Sequence, residues 1–118
     1  MTALKILISG EIDVDPARRE RALIDAVPFI DAALAERGCV QYAWTADLSR
    51  PGRIHVFEAW ADEADLAAHL LAEPYRDMAA HLASTGIIAA VTRKHRVTLT
   101  EPVYDPDGRP RADFFTAT

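Results

Sequence analysis

The chain has 118 residues, half of them hydrophobic, and 13 Lys and Arg against 18 Asp and Glu give a formal charge of −5. That length suits one globular domain able to bury about two-thirds of its unfolded surface. The absence of a basic cluster interleaved with aromatics argues against nucleic acid as a partner, and no apolar run approaches the roughly 18 residues that cross a bilayer.

The first fifteen residues, MTALKILISGEIDVD, carry neither a charged leader nor a long apolar core, so the expected location is cytoplasmic. Residues 3–13 alternate, with Leu4, Ile6, Ile8, Gly10 and Ile12 on one face and Lys5, Leu7, Ser9 and Glu11 on the other, which predicts a strand. Asp15-Pro16 supplies a helix cap and a first-turn proline. Leu23, Val27, Ile30 and Leu34 then recur at i, i+4, i+7 and i+11 until Gly38, predicting an amphipathic helix over about 16–37. Pro28 falls inside it, where a missing N–H and a ring clash predict a bend or break near Ile24–Pro28.

CVQYAWTA (39–46) and RIHVFEAW (53–60), joined by the turn-rich DLSRPG, read as an antiparallel hairpin. Asp62 caps the next helix, with Asp65 three residues on, and Pro74 opens a further short helix to about Ser84. Residues 87–99 read as a closing strand. The order is βαββαβ with the second helix split, the ferredoxin-like α+β arrangement. It occupies residues 1–100, and 101–118, dense in Pro, Asp and Gly, reads as an irregular C-terminal tail.

If Val56, Glu58 and Trp60 face the helices, Phe57 and Ala59 point to the opposite face of the sheet, where Leu7 and Ala43 join them. Such a face calls for cover, and packing two sheets face to face in a homodimer supplies it. The rival reading is a half-apolar sheet left exposed in a monomer.

RGCVQY entering the second strand, FEAW in the third and ADLAAHL in the following helix together resemble the antibiotic biosynthesis monooxygenase family, which includes quinol monooxygenases, over roughly residues 3–100. The resemblance implies a homodimer of ferredoxin-like units whose sheets form a shared α/β barrel, with a pocket in each subunit between sheet and helices. It implies oxidation of a small quinol-like or anthrone-like aromatic by molecular oxygen, with no metal or flavin cofactor. Other members of the wider group degrade haem, isomerise small signalling molecules or have no established activity. Haem-degrading relatives carry an Asn near the position of Ser9-Gly10-Glu11 and a haem-ligating His one turn into the last helix. Here His81 is displaced from that position by two residues.

Glu58 and Trp60 leave the same face of their strand, and His69 follows on the inward stripe of the next helix beside Leu66 and Leu70. An inward imidazole suits removal of a phenolic proton near neutrality, and a buried structural His is the alternative. Glu58 can orient or charge-stabilise His69, or serve only as its structural partner. Trp60 offers a flat wall for an aromatic substrate or plain core packing. Tyr42 and Trp44 share one face of the second strand, where they line the same cavity or pack across strands. Tyr75, Met78 and Leu82 make an i, i+3, i+7 stripe whose simplest reading is core, with Tyr75 also within reach of a bound substrate. His81 and Asp77 read as an exposed i, i+4 pair. His55 is expected on the dimer side and His95 near Arg93 and Arg96, neither with a catalytic partner. Cys39, the single cysteine, rules out an internal disulfide and a cysteine-based metal cage, and reads as a small buried residue. No Gly-x-Gly-x-x-Gly turn and no His/Asp/Glu set at metal-ligand spacing is present. A non-catalytic dimeric binding or stress-response module with the same fold and pocket stands as the reading from a different class.

Overall fold

Apolar residues at every second position make four strands, and in the computed structural model, which describes residues 5–116, these pair into one antiparallel sheet. The strands are β1 (Ile6–Val14), β2 (Cys39–Ala46), β3 (Arg53–Trp60) and β4 (Ile87–Arg96); the helices are α1 (Arg19–Leu34), α2 (Glu63–Leu70) and α3 (Glu73–Thr85). The spatial order β2-β3-β1-β4 with helices on one face is the ferredoxin-like α+β fold, and the split of the second helix into α2 and α3 is present. Of the first expected strand, Ala3 and Leu4 lie outside the described residues.

Pairing in register puts Ile8 opposite Glu58, Gly10 opposite Val56 and Tyr42 opposite Glu58, so these residues share the helix-facing side. Ile6, Ile12, Val14, Tyr42, Ile54, Val56 and Trp60 on that side close against Ala26 and Ala33 of α1, Leu66 of α2, and Met78 and Leu82 of α3. The hairpin turn is fastened from the helix layer: Arg19 Nη1 donates to the carbonyls of Asp47 (2.8 Å), Arg50 (2.7 Å) and Arg53 (3.2 Å).

Several sequence expectations are corrected. Helix α1 begins at Arg19 because Asp15 caps a preceding turn instead, its Oδ1 accepting from Ala17 N at 2.9 Å. Of the expected bend or break at Pro28, the break is absent: the helix is continuous through that residue. Its buried stripe is Ala22, Ala26 and Ala33, with Leu23, Phe29 and Ile30 partly buried, whereas Val27 and Leu34 are about half exposed. Small alanines let the helix lie close to the sheet, which turns the larger residues at Val27 and Leu34 outward. The last strand stops at Arg96, three residues short of the expected end.

Other boundaries agree with their local chemistry. Asp62 Oδ1 accepts from Asp65 N at 2.8 Å and caps α2, Pro74 stands in the first turn of α3, and Gly86 at φ 92° ends that helix. On the face away from the helices, Leu7, Ala43 and Phe57 are half-buried and Ala59 is buried. Every residue of β4 is exposed, including Ile88 and Val91, so one edge of the sheet presents ten residues without cover.

The described part of the tail, residues 101–116, holds no helix or strand and is fastened to itself. Tyr104 bridges Pro110, and the Glu101 carboxylate accepts from Phe115 N (3.0 Å) and Thr116 N (2.9 Å). Arg111 pairs with Asp113 and lies 5.2 Å over the Phe115 ring, while Phe114 stays exposed. The radius of gyration, 16.3 Å, exceeds the roughly 13–14 Å of a fully compact chain of this length.

Candidate active site

Inward residues of all four strands and of α2 and α3 leave a cavity of about 290 Å³ between sheet and helices. Its polar lining is Glu58, His69, Tyr42, Tyr75, Trp44 and Thr92, and the rest is aliphatic or Met78. A larger cleft of about 420 Å³ lies outside, between α2 and β4, lined by Glu63, Lys94 and Arg96 among others, and none of the inward aromatic residues reaches it. The smaller cavity holds the groups suited to chemistry.

His69 is its centre. The imidazole is 2 % exposed and packs among three aromatic rings: Trp60 at 4.5 Å between centroids, with Tyr42 at 5.7 Å and Tyr75 at 5.6 Å, both edge-on. Its hydrogen bond goes to a residue that sequence reading missed: Nδ1 lies 2.5 Å from Glu36 Oε2. Glu36 sits in the loop between α1 and β2, within the charged run AERG, which reads as solvated surface; no spacing rule links it to a histidine 33 positions away.

Glu58 is not the hydrogen-bond partner of His69. Its Oε1 stands 4.0 Å from His69 Nε2 and instead accepts from Trp60 Nε1 at 2.9 Å. Two residues apart on one strand face, the acid and the indole satisfy each other. Burial raises the pKa of Glu58 above the usual carboxylate range; the Trp60 N–H and neighbouring His69 oppose the rise, and Glu36 adds to it. Burial also pushes the Tyr42 hydroxyl up, with the Glu58 charge second, so Tyr42 stays protonated as a hydrogen-bond donor.

Trp60 is wholly buried beside His69 and Glu58 and is absent from the cavity lining, whose aromatic residues are Tyr42, Trp44 and Tyr75. The Trp44 indole N–H lies beside the Tyr42 hydroxyl yet is buried with no partner of hydrogen-bonding geometry. Tyr75 is 41 % exposed, so it stands at the cavity's solvent side while Met78 and Leu82 are core.

The other histidines lie elsewhere. His81 turns toward α1 rather than pairing with Asp77: Nε2 donates to Ala22 O at 2.8 Å, and the ring tilts against Phe29. His55 pairs with Asp47 at 2.7 Å, and His95 with Ser9 Oγ at 2.9 Å. Cys39 is half-buried, and burial, with Glu58 and Glu36 nearby, lifts its thiol pKa to about 11. Among the described residues no group of three or more His, Cys, Asp or Glu is placed to hold a metal ion, and no helix is long and apolar enough to cross a membrane.

A ferredoxin-like domain with an imidazole, a carboxylate and aromatic rings around one inward cavity is the class that fold and site define. Residues 6–86 match the family model described as antibiotic biosynthesis monooxygenase, and the chain belongs to that family. A curated protein of Synechocystis, described as uncharacterized, is 30 % identical over 64 residues; the match covers 54 % of this chain and 44 % of that protein, so the chain spans less than half of its relative. Among solved structures, one from Deinococcus radiodurans assigned to the antibiotic biosynthesis monooxygenases superposes with TM-score 0.75 at 18 % identity, covering 82 % of this chain and 96 % of that one. A conserved protein from Methanosarcina mazei gives 0.72 at 21 %, covering 80 % and 94 %. At such identities the likeness is one of fold.

Proposed function

We propose that the chain is a cofactor-independent monooxygenase that oxidises a small electron-rich aromatic, quinol-like or anthrone-like, with molecular oxygen. The observation that carries this reading is a buried imidazole, anchored on one nitrogen by Glu36, beside an aromatic-lined cavity of about 290 Å³. That volume lies at the bottom of the range for small-molecule sites, which suits a compact aromatic and disfavours a porphyrin.

Chemistry follows from what such a substrate supplies. His69 accepts the acidic proton of the bound phenol or anthrone, giving an anion rich enough to pass one electron to oxygen. The substrate radical and superoxide then combine into a peroxide on carbon, which takes up a proton and loses water to leave the quinone from an anthrone or the hydroxyquinone from a quinol. One oxygen atom ends in product and the other in water, and the substrate provides both electrons. In this reading Tyr42, held protonated by its burial, donates to a substrate oxygen and the Trp44 N–H is a second donor. Tyr75 closes the solvent side, and Glu58 with Trp60 backs the imidazole.

The working unit is a homodimer. Leu7, Ala43 and Phe57 on the open sheet face, together with uncovered β4, form the surface that a second copy hides, closing the two sheets into a barrel. Oxygen uptake with a naphthoquinol or anthrone, in chelator and without added flavin, tests the activity: one O2 consumed per hydroxyquinone or anthraquinone formed, without hydrogen peroxide, is expected, and none in any such substrate counts against it.

A further inference from the structure

We propose that Glu36 is a positioning residue that holds His69 in its Nδ1–H tautomer and so leaves Nε2 as the proton acceptor on the cavity side; this rests on His69 being the base. His69 lies between two carboxylates, and a neutral imidazole has one N–H to give. Distance decides the recipient: Glu36 Oε2 is 2.5 Å from Nδ1, and Glu58 Oε1 is 4.0 Å from Nε2. With the Glu36 oxygen as the acceptor of this contact, Nδ1 carries the proton. Glu58 Oε1 is moreover already taken by the Trp60 N–H.

The loop that carries Glu36 is fixed to the element that carries His69. Glu36 N donates to Ala33 O at 3.0 Å and Cys39 N to Glu36 O at 3.2 Å, so the residue is held on both sides. Ala61 N donates to Gly38 O at 2.8 Å, and Gly38 packs directly on the Asp65 side chain in the first turn of α2. The Glu36 loop and α2 are therefore in direct contact as well as joined by the Glu36–His69 bond. Glu36 Oε1, meanwhile, is buried with no hydrogen-bond partner.

The test reads the tautomer of the neutral His69 ring from its 15N resonances in the full-length chain, with turnover of a naphthoquinol measured on the same samples. Wild type and Glu36→Gln, which keeps an acceptor oxygen, are expected to show Nδ1–H. Glu36→Leu is expected to shift toward Nε2–H, with Glu58 the remaining acceptor, and to lose about 10–100-fold in kcat at little change in KM. Glu36→Gln is expected to recover most of that loss. An Nε2–H ring in the wild type overturns the proposal without any variant, as does a folded Glu36→Leu chain with unmoved tautomer and turnover. The tautomer is read without substrate, so absence of quinol oxidation by wild type counts against the proposed activity alone.

Discussion

Around His69 the hydrogen bonds are divided so that each acid has one donor, Glu36 taking the imidazole and Glu58 the indole of Trp60. Glu58 is left poorly solvated, and its raised pKa has a consequence for stability. The folded state holds the Glu58 proton more tightly than the unfolded chain, whose carboxyl titrates near 4.5. The resulting stability is fully present below that value and is lost as pH rises through the higher folded-state pKa. Glu58→Gln, which keeps an acceptor for Trp60, is therefore expected to gain melting temperature relative to wild type as pH climbs above about 4.5; parallel melting curves would contradict the assignment. Cys39 offers an independent check on the burial of this region, which raises its thiol pKa with Glu58 and Glu36 adding to the rise. With its thiol pKa near 11, it is expected to resist alkylation at pH 8 in the folded chain and to react on unfolding. Equal rates in both states would contradict that.

At the scale of elements, the loop between α1 and β2 couples the two halves of the site. Gly38 has φ 77°, and a Cβ there would overlap the Asp65 side chain, so Gly38→Ala meets both backbone strain and a clash. A loss of about 1–3 kcal/mol is expected in denaturant unfolding, together with weakened turnover through displaced Glu36; a variant as stable as wild type would contradict the packing described. The strands, the hairpin, the Asp62 cap and the Pro74 start were legible because each rests on local chemistry: alternation, a turn, a side chain reaching three residues on. The face of α1 was not, because Leu and Val mark apolar stripes in a sequence while Ala22, Ala26 and Ala33 matter through being small. Glu58, Trp60 and His69 were legible as inward residues from the period of strand and helix. Their partners were not, since the Glu36 contact crosses 33 residues and the Trp60–Glu58 bond depends on rotamers no pattern encodes.

For the whole molecule, the open sheet face and the uncovered β4 predict association. Light scattering at micromolar concentration should return twice the 13.0 kDa of the chain, and Phe57→Glu should return the monomer mass without loss of secondary structure. A monomeric wild type would contradict the barrel. Deleting residues 103–118 tests whether Phe114, exposed on the self-fastened tail, docks on the second copy: a weakened dimer is the expected result, and unchanged association would leave the tail without that role. The central claim is that the inward imidazole does chemistry, and His69→Ala tests it most directly, with oxygen uptake and thermal unfolding measured on one preparation. The account predicts a drop in quinol oxidation of roughly a hundredfold or more per folded molecule, with a melting temperature that stays within the folded range. A variant that melts markedly lower yet oxidises the quinol as fast per folded molecule would make His69 a structural tie and contradict the account.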